Sequence, residues 1–203
     1  MPLSTTRALA AALALTLAAA PAALAERAGS VVRVQQDAFQ ARSSVGSRLS
    51  VGATVFRNAR LYTREYGSME VLFADRSNLL LSPNSSIIVD EYVYEGGGPP
   101  TLSMRLLKGA LRMVSGRIPK EAVAIDGKVA AIGIRGTRFW LDVQTEGILK
   151  IWSDEGVVVA RPINGTREFV FEAPVYAECT DTTCEITPAP PQPDKFPIDP
   201  RAR

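Results

Sequence analysis

Cys179 and Cys184 are the only two cysteines in this 203-residue chain, and they stand together in Cys-Thr-Asp-Thr-Thr-Cys. Two thiols can cross-link, exchange electrons or help to hold a metal. The spacing is not the Cys-x-x-Cys of a redox-active pair. Without a histidine, two thiols do not complete a tetrahedral zinc site, and this chain has no histidine at all. That also removes His-based triads and the commonest general base near neutral pH. No Gly-x-Ser-x-Gly elbow, P-loop or dinucleotide fingerprint occurs. Carboxylate-only chemistry, as two facing acids perform in glycosidases, is the catalytic option that remains. Asp90, Glu91 and Glu95 flank two tyrosines, but lack the ligand alternation of a calcium loop. They read as a solvated strand end, with a weak calcium or partner site as the alternative. The residue inventory favours a binding module over an enzyme and calls for no cofactor and no metal.

The N-terminus indicates a destination. Arg7 is the one charged residue before Glu26, and residues 8–20 form an apolar block. Pro21 ends the block, and Ala23-Leu24-Ala25 supplies a small-x-small cleavage pattern. Residues 1–25 therefore read as a secretory signal peptide, too short for the ~20 apolar residues of a membrane span. Export implies a periplasmic or secreted protein. In an oxidising compartment the Cys179–Cys184 pair reads as a disulfide. The formal charge of +2 is nearly balanced, which gives no footprint for nucleic acid. No later segment is long and apolar enough to span a membrane.

Residues 26–187 form one domain, and the elements in it are β throughout. Short apolar runs such as Ala59-Arg60-Leu61-Tyr62-Thr63, Glu70-Val71-Leu72-Phe73 and Leu79-Leu80-Leu81 alternate with turn residues every 8–12 positions. Residues 102–106 and 110–114 read as two strands around Lys108-Gly109. Asp126-Gly127 and Asn164-Gly165 read as type I′ hairpin turns with positive φ. No helix-period run of useful length occurs in the mature chain. The pattern predicts a single compact all-β roll or sandwich of many short strands. Residues 188–203 carry six prolines; they cannot sustain a ladder and read as a disordered, Pro-rich tail. A docking peptide is the sharper alternative for that tail.

The stretch from Ile132 to Trp140, Ile-Gly-Ile-Arg-Gly-Thr-Arg-Phe-Trp, places two glycines inside a strand pattern, where glycine marks a bulge, a bend or a close backbone approach. Several segments from Val51 to Val159 follow one order. They are residues 59–63, the hairpin Val71-Leu72-Phe73-Ala74-Asp75-Arg76-Ser77-Asn78-Leu79, Ser82-Pro83-Asn84-Ser85-Ser86, Leu107-Lys108-Gly109-Ala110-Leu111, Gly133-Ile134-Arg135-Gly136-Thr137-Arg138-Phe139, and Glu155-Gly156-Val157-Val158-Val159. In this order they resemble the FecR domain, named for the ferric-citrate regulator family of periplasmic signalling proteins. Arg76 and Ser82 stand where that pattern usually carries glycine, which puts the type of the Arg76 turn in doubt.

The resemblance implies an exported β module that binds or senses. Transmembrane members place a cytosolic sigma-factor-binding region and a membrane helix ahead of this domain. With a cleavable leader instead, the anti-sigma role is not expected to transfer. The expected function is non-catalytic engagement of a protein or an envelope glycan. The alternative is a sensing part in an iron-siderophore-type signalling system.

Gly133 and Gly136 read as bulge or bend positions, and Arg135 as paired to a carboxylate or to backbone carbonyls. Thr137, Phe139 and Leu141 share one face, and Arg138, Trp140 and Asp142 the other. On that wetter face Trp140 reads as edge packing, with a partner hot spot as the alternative.

Overall fold

The computed structural model describes residues 27–94, 98–143 and 147–187. Residues 1–26, 95–97, 144–146 and 188–203, and with them the expected leader and tail, lie outside them. Fifteen strands follow in order: β1 (Arg27–Gln35), β2 (Ala38–Ala41), β3 (Gly46–Arg48), β4 (Thr54–Phe56), β5 (Ala59–Thr63), β6 (Ser68–Phe73), β7 (Asn78–Leu81), β8 (Ser86–Val93), β9 (Thr101–Val114), β10 (Val123–Asp126), β11 (Ala130–Val143), β12 (Leu149–Pro162), β13 (Phe169–Glu172), β14 (Val175–Cys179) and β15 (Cys184–Thr187). A 3-10 turn, Lys120–Ala122, precedes β10. Among the described residues no helix is long and apolar enough to cross a membrane.

All fifteen strands belong to one sheet. Its main path runs β15-β14-β12-β11-β10-β9-β7-β6-β1-β4, with β8, β5, β2 and β3 branching from β9 and β13 paired to β12. Pairings are antiparallel except β9 with β10. Leu61, Phe73, Leu81, Met104, Leu111, Phe139, Ile151 and Ala177 join one continuous core. A single sheet whose near and far strands share one core must curl around it, so the fold is the roll form of the expected all-β class.

Period-2 alternation explains why these runs become strands. In β5, Ala59, Leu61 and Thr63 are buried while Arg60 is exposed. The three longest strands interrupt that alternation once each. In β9 the core side chains are Leu102, Met104 and Leu106, then Leu111 and Met113. In β11 they are Ala130, Ile132 and Ile134, then Phe139 and Leu141, and in β12 Leu149 and Ile151, then Val158 and Ala160. Even and odd positions exchange within each strand, which only a bulge permits. Gly109 at φ 74° and Gly156 at φ 92° mark two of the exchanges. The register of β11 slips on either side of Arg138, between Arg135 and Phe139. Each crease folds a long strand across the curl, so that β11 pairs with β10 before it and with β9 after it.

The creases correct several readings of the sequence. Residues 102–106 and 110–114 are one strand, because Gly109 bends it rather than ending it. The segment from Asp37 to Ser50 contains β2 and β3, which pair through Ala38–Ala41 to β5. The Asp126-Gly127 hairpin forms, but the positive φ falls on Lys128 at 71°. The Asn164-Gly165 hairpin closes between Ala160 and Phe169, a wider loop than a two-residue turn. Arg76, which lacks the glycine usual at its position, keeps a left-handed turn at φ 71°.

Candidate functional site

The signature stretch lies in β11. Gly133 sits in regular register between Ala124 and Val159. A methyl group there would meet Val159 only at 3.8 Å, an ordinary contact. Gly133 is therefore neither a bulge nor a tight approach, contrary to the sequence reading. Gly136 falls inside the register slip, as expected, with Thr137 beside it; the Thr137 side chain lies outside the described residues. Phe139 is buried in the main core, as its alternation requires.

Arg135 is not paired as expected. Its side chain is exposed, and it makes no ion pair or hydrogen bond among the described residues. It borders a shallow depression of about 90 Å³ with Glu121, Gly133, Ile134, Val159 and Arg161. Arg161 is tied to Glu168. An exposed guanidinium beside a small hollow, with its planar donor fork uncommitted, can receive a carboxylate or phosphate from another molecule.

Trp140 corrects a second reading. It shares a face with Asp142, but that face is not wet: the two residues are each only 4% exposed. Trp140 stands in register between Arg112 and Trp152. Trp152 in turn faces Tyr176, with ring centroids 4.7 Å apart. The Arg112 guanidinium lies 5.6 Å from the centre of the Trp140 ring. Ala110, Trp140, Trp152 and Tyr176 form a second apolar cluster, separate from the main core.

Two polar knots account for the remaining signature residues. Asp75 is fully buried at the β6–β7 turn. Its side-chain oxygens accept from Ser77 Oγ at 2.5 Å, Ser77 N at 3.2 Å, Tyr92 Oη at 3.2 Å and Ile118 N at 3.3 Å. The Asp75 carbonyl accepts from Arg117 N, and Gly116 N donates to Ser77 Oγ. A side chain at Gly116 would collide with the Asp75 carbonyl at 2.3 Å. The turn thus binds the strap after β9 to β8. In the sequence nothing marks Asp75 out within the 71–79 hairpin except its place between apolar runs, which is the signal of its burial.

In the second knot, Thr63 Oγ1 donates to the Ser82 carbonyl and accepts from Ser85 N. Ser85 Oγ accepts from Ala110 N. Residues from three signature segments, at Thr63, Ser82–Ser85 and Gly109–Ala110, therefore meet at one point.

The disulfide expected between Cys179 and Cys184 is present. It closes the β14–β15 hairpin at the register pair where the two strands turn. Asp90 is engaged by the Arg105 fork at 2.5–2.9 Å, which leaves it unsuited to the calcium alternative. Glu95 lies outside the described residues. Among the described residues no three acidic or thiol side chains converge as metal ligands.

Burial raises the pKa of both buried phenols, Tyr92 and Tyr176. For Tyr92 the Asp75 backbone N–H, which donates to the phenol oxygen, opposes the rise while the Asp75 carboxylate adds to it; for Tyr176 the Glu178 carboxylate adds to it. A group with a raised folded pKa loses its contribution as pH rises, because the unfolded chain ionises first, near pH ~10. Stability is therefore expected to hold below about pH 10 and to fall above it. In a spectrophotometric titration, Tyr92 and Tyr176 should ionise only as the circular dichroism of the sheet is lost. Five phenols ionising in one phase with the fold intact would contradict this.

The geometry can be set beside known proteins. The family described as FecR protein matches residues 59–159. A crystal structure described as a putative anti-sigma factor from Parabacteroides distasonis ATCC 8503 superposes with a TM-score of 0.50 at 12% identity. The match covers 63% of this chain and 57% of that one. A second crystal structure under the same description gives a TM-score of 0.48 at 13% identity, with the same coverage. At such identities the likeness is one of fold, and this chain spans little more than half the length of those proteins. No curated protein matches the chain. The matched span begins with β5 and ends within β12, so it holds both polar knots and all three creases, and by that match residues 59–159 are a FecR domain.

Proposed function

We propose that this protein is a non-catalytic protein-interaction module of the bacterial periplasm, and that the surface around Arg135 receives its partner. One observation carries the reading. The polar groups of the family signature bond inward, at Asp75, Ser77, Thr63 and Ser85, whereas Arg135 at the β11 crease faces outward beside a hollow. Buried, satisfied groups hold a scaffold together, while an exposed arginine is enriched where proteins bind one another. The disulfide and the leader-like N-terminus support an oxidising, exported location. The absence of histidine supports a non-catalytic role. The fold neighbour's description as a putative anti-sigma factor supports a place in envelope signalling. No sigma-factor contact is proposed for this chain.

The test compares the wild-type protein with Arg135→Glu as baits in an envelope fraction. Charge reversal should abolish recovery of a partner that the wild type retains, with thermal stability unchanged because the side chain is exposed. Equal recovery by both baits would remove this surface from the interaction.

A further inference from the structure

We propose that the aromatic row Tyr176–Trp152–Trp140 is a docking surface for an extended proline-rich segment, and that its occupant is this chain's own residues 188–203. This inference is independent of the Arg135 reading.

The row lies on the face of the sheet turned away from the main core. Ala177, Ile151, Leu141 and Leu111 point into that core, so their strand neighbours Tyr176, Trp152, Trp140 and Arg112 point outward. An outward face should be wet, yet Tyr176 is 6% exposed, Trp152 9%, Trp140 4% and Leu80 3%. Large rings standing side by side shield one another's edges, but not their outer faces. A covering layer is required.

Position and chemistry select the tail as that layer. The β15 strand ends at Thr187, whose register partner is Tyr176. The tail therefore leaves the sheet at the end of the aromatic row. From Thr187 to Arg112 the path crosses four strand spacings, about 19 Å at ~4.8 Å each. A polyproline II chain covers that in about six residues at ~3.1 Å each, so residues 191–194 come to lie over Trp140 and Arg112, with Phe196 just beyond them toward Leu80. Prolines packed on tryptophan and tyrosine rings are the usual basis of proline-rich recognition. The tail brings six prolines and one aromatic, Phe196. On that path Asp194 falls beside Arg112, which is opposite to it in charge.

The chain's two tryptophans are both in this row, so intrinsic fluorescence reports on it alone. The experiment uses the full chain and two variants, Phe196→Ser and the double change Pro190→Gly with Pro191→Gly. Both leave every strand untouched, and circular dichroism checks that the sheet is intact. The proposal expects the emission of each variant to move to longer wavelength and its acrylamide quenching to rise. A synthetic peptide of residues 188–203 should reverse both changes in Phe196→Ser. Emission and quenching unchanged in both variants would overturn the proposal by assigning the cover to something else. Emission that depends on protein concentration would also overturn it, because it would make a second copy the occupant.

Discussion

Replacing Asp75 by alanine should cost about 3–5 kcal/mol of folding stability, the largest single-site loss expected in this protein. The substitution removes the acceptor for Ser77 N, Ser77 Oγ, Tyr92 Oη and Ile118 N together. The abandoned donors sit where water does not reach, since Ser77 is fully buried and Tyr92 nearly so. Each unsatisfied buried group costs about 1–3 kcal/mol. Against a total stability of roughly 5–15 kcal/mol, such a loss brings the fold to the edge of unfolding. In urea the midpoint should fall sharply with little change in slope. Asp75→Asn keeps the shape and one acceptor oxygen, so it should recover part of the loss. A midpoint shift equivalent to less than about 1 kcal/mol for the alanine variant would show that the knot is not a keystone.

Gly109→Val should be the next most damaging change. The backbone stands at φ 74°, a region that a β-branched residue adopts only at considerable cost. The new Cβ would also lie 2.3 Å from Ser85 Oγ and 2.8 Å from the Asn84 carbonyl. The hydroxyl could rotate away, but the carbonyl belongs to the backbone and cannot. Ser85 Oγ would then give up its bond from Ala110 N. Strain and the lost bond together amount to about 3 kcal/mol or more. Gly109→Ala should lose less, because a lone methyl group tolerates left-handed backbone better than a branched chain does. The comparison by thermal unfolding is decisive: a valine variant as stable as wild type would mean that β9 can pass this point without its crease.

The class of fold could be read from the sequence because period-2 alternation is a local property. Leu61, Leu102, Met104, Phe139 and Leu141 all fall where that alternation places them. The true length of the long strands could not, because glycine has the same local signature in a turn and in a crease. Only pairing with β7 and β11 on the far side shows that β9 continues past Gly109. The strands β2 and β3 were hidden by their shortness; the pairing of β2 with β5, and of β3 with β2, defines them. Trp140 and Asp142 misled for the opposite reason. Alternation gave their face correctly, but which face is covered depends on distant parts of the chain. At the site, the bulge at Gly136 was legible from glycine inside a strand pattern, and the disulfide from two lone cysteines behind a leader-like segment. The exposure of Arg135 and the convergence of Ser77, Tyr92 and Ile118 on Asp75 required three dimensions.

The lone parallel pairing, β9 with β10, constrains how the molecule is made. Several strands must also find a mate far along the chain, as β1 does with β6 and β9 with β11, and a parallel rung cannot be closed by a tight reversal. Topologies of this kind search slowly, on millisecond-to-second timescales, with unpaired ribbon exposed meanwhile. Such a nascent chain is a natural client for holdase chaperones. Its yield on refolding from denaturant should be governed by competition with self-association rather than by the depth of the native energy well.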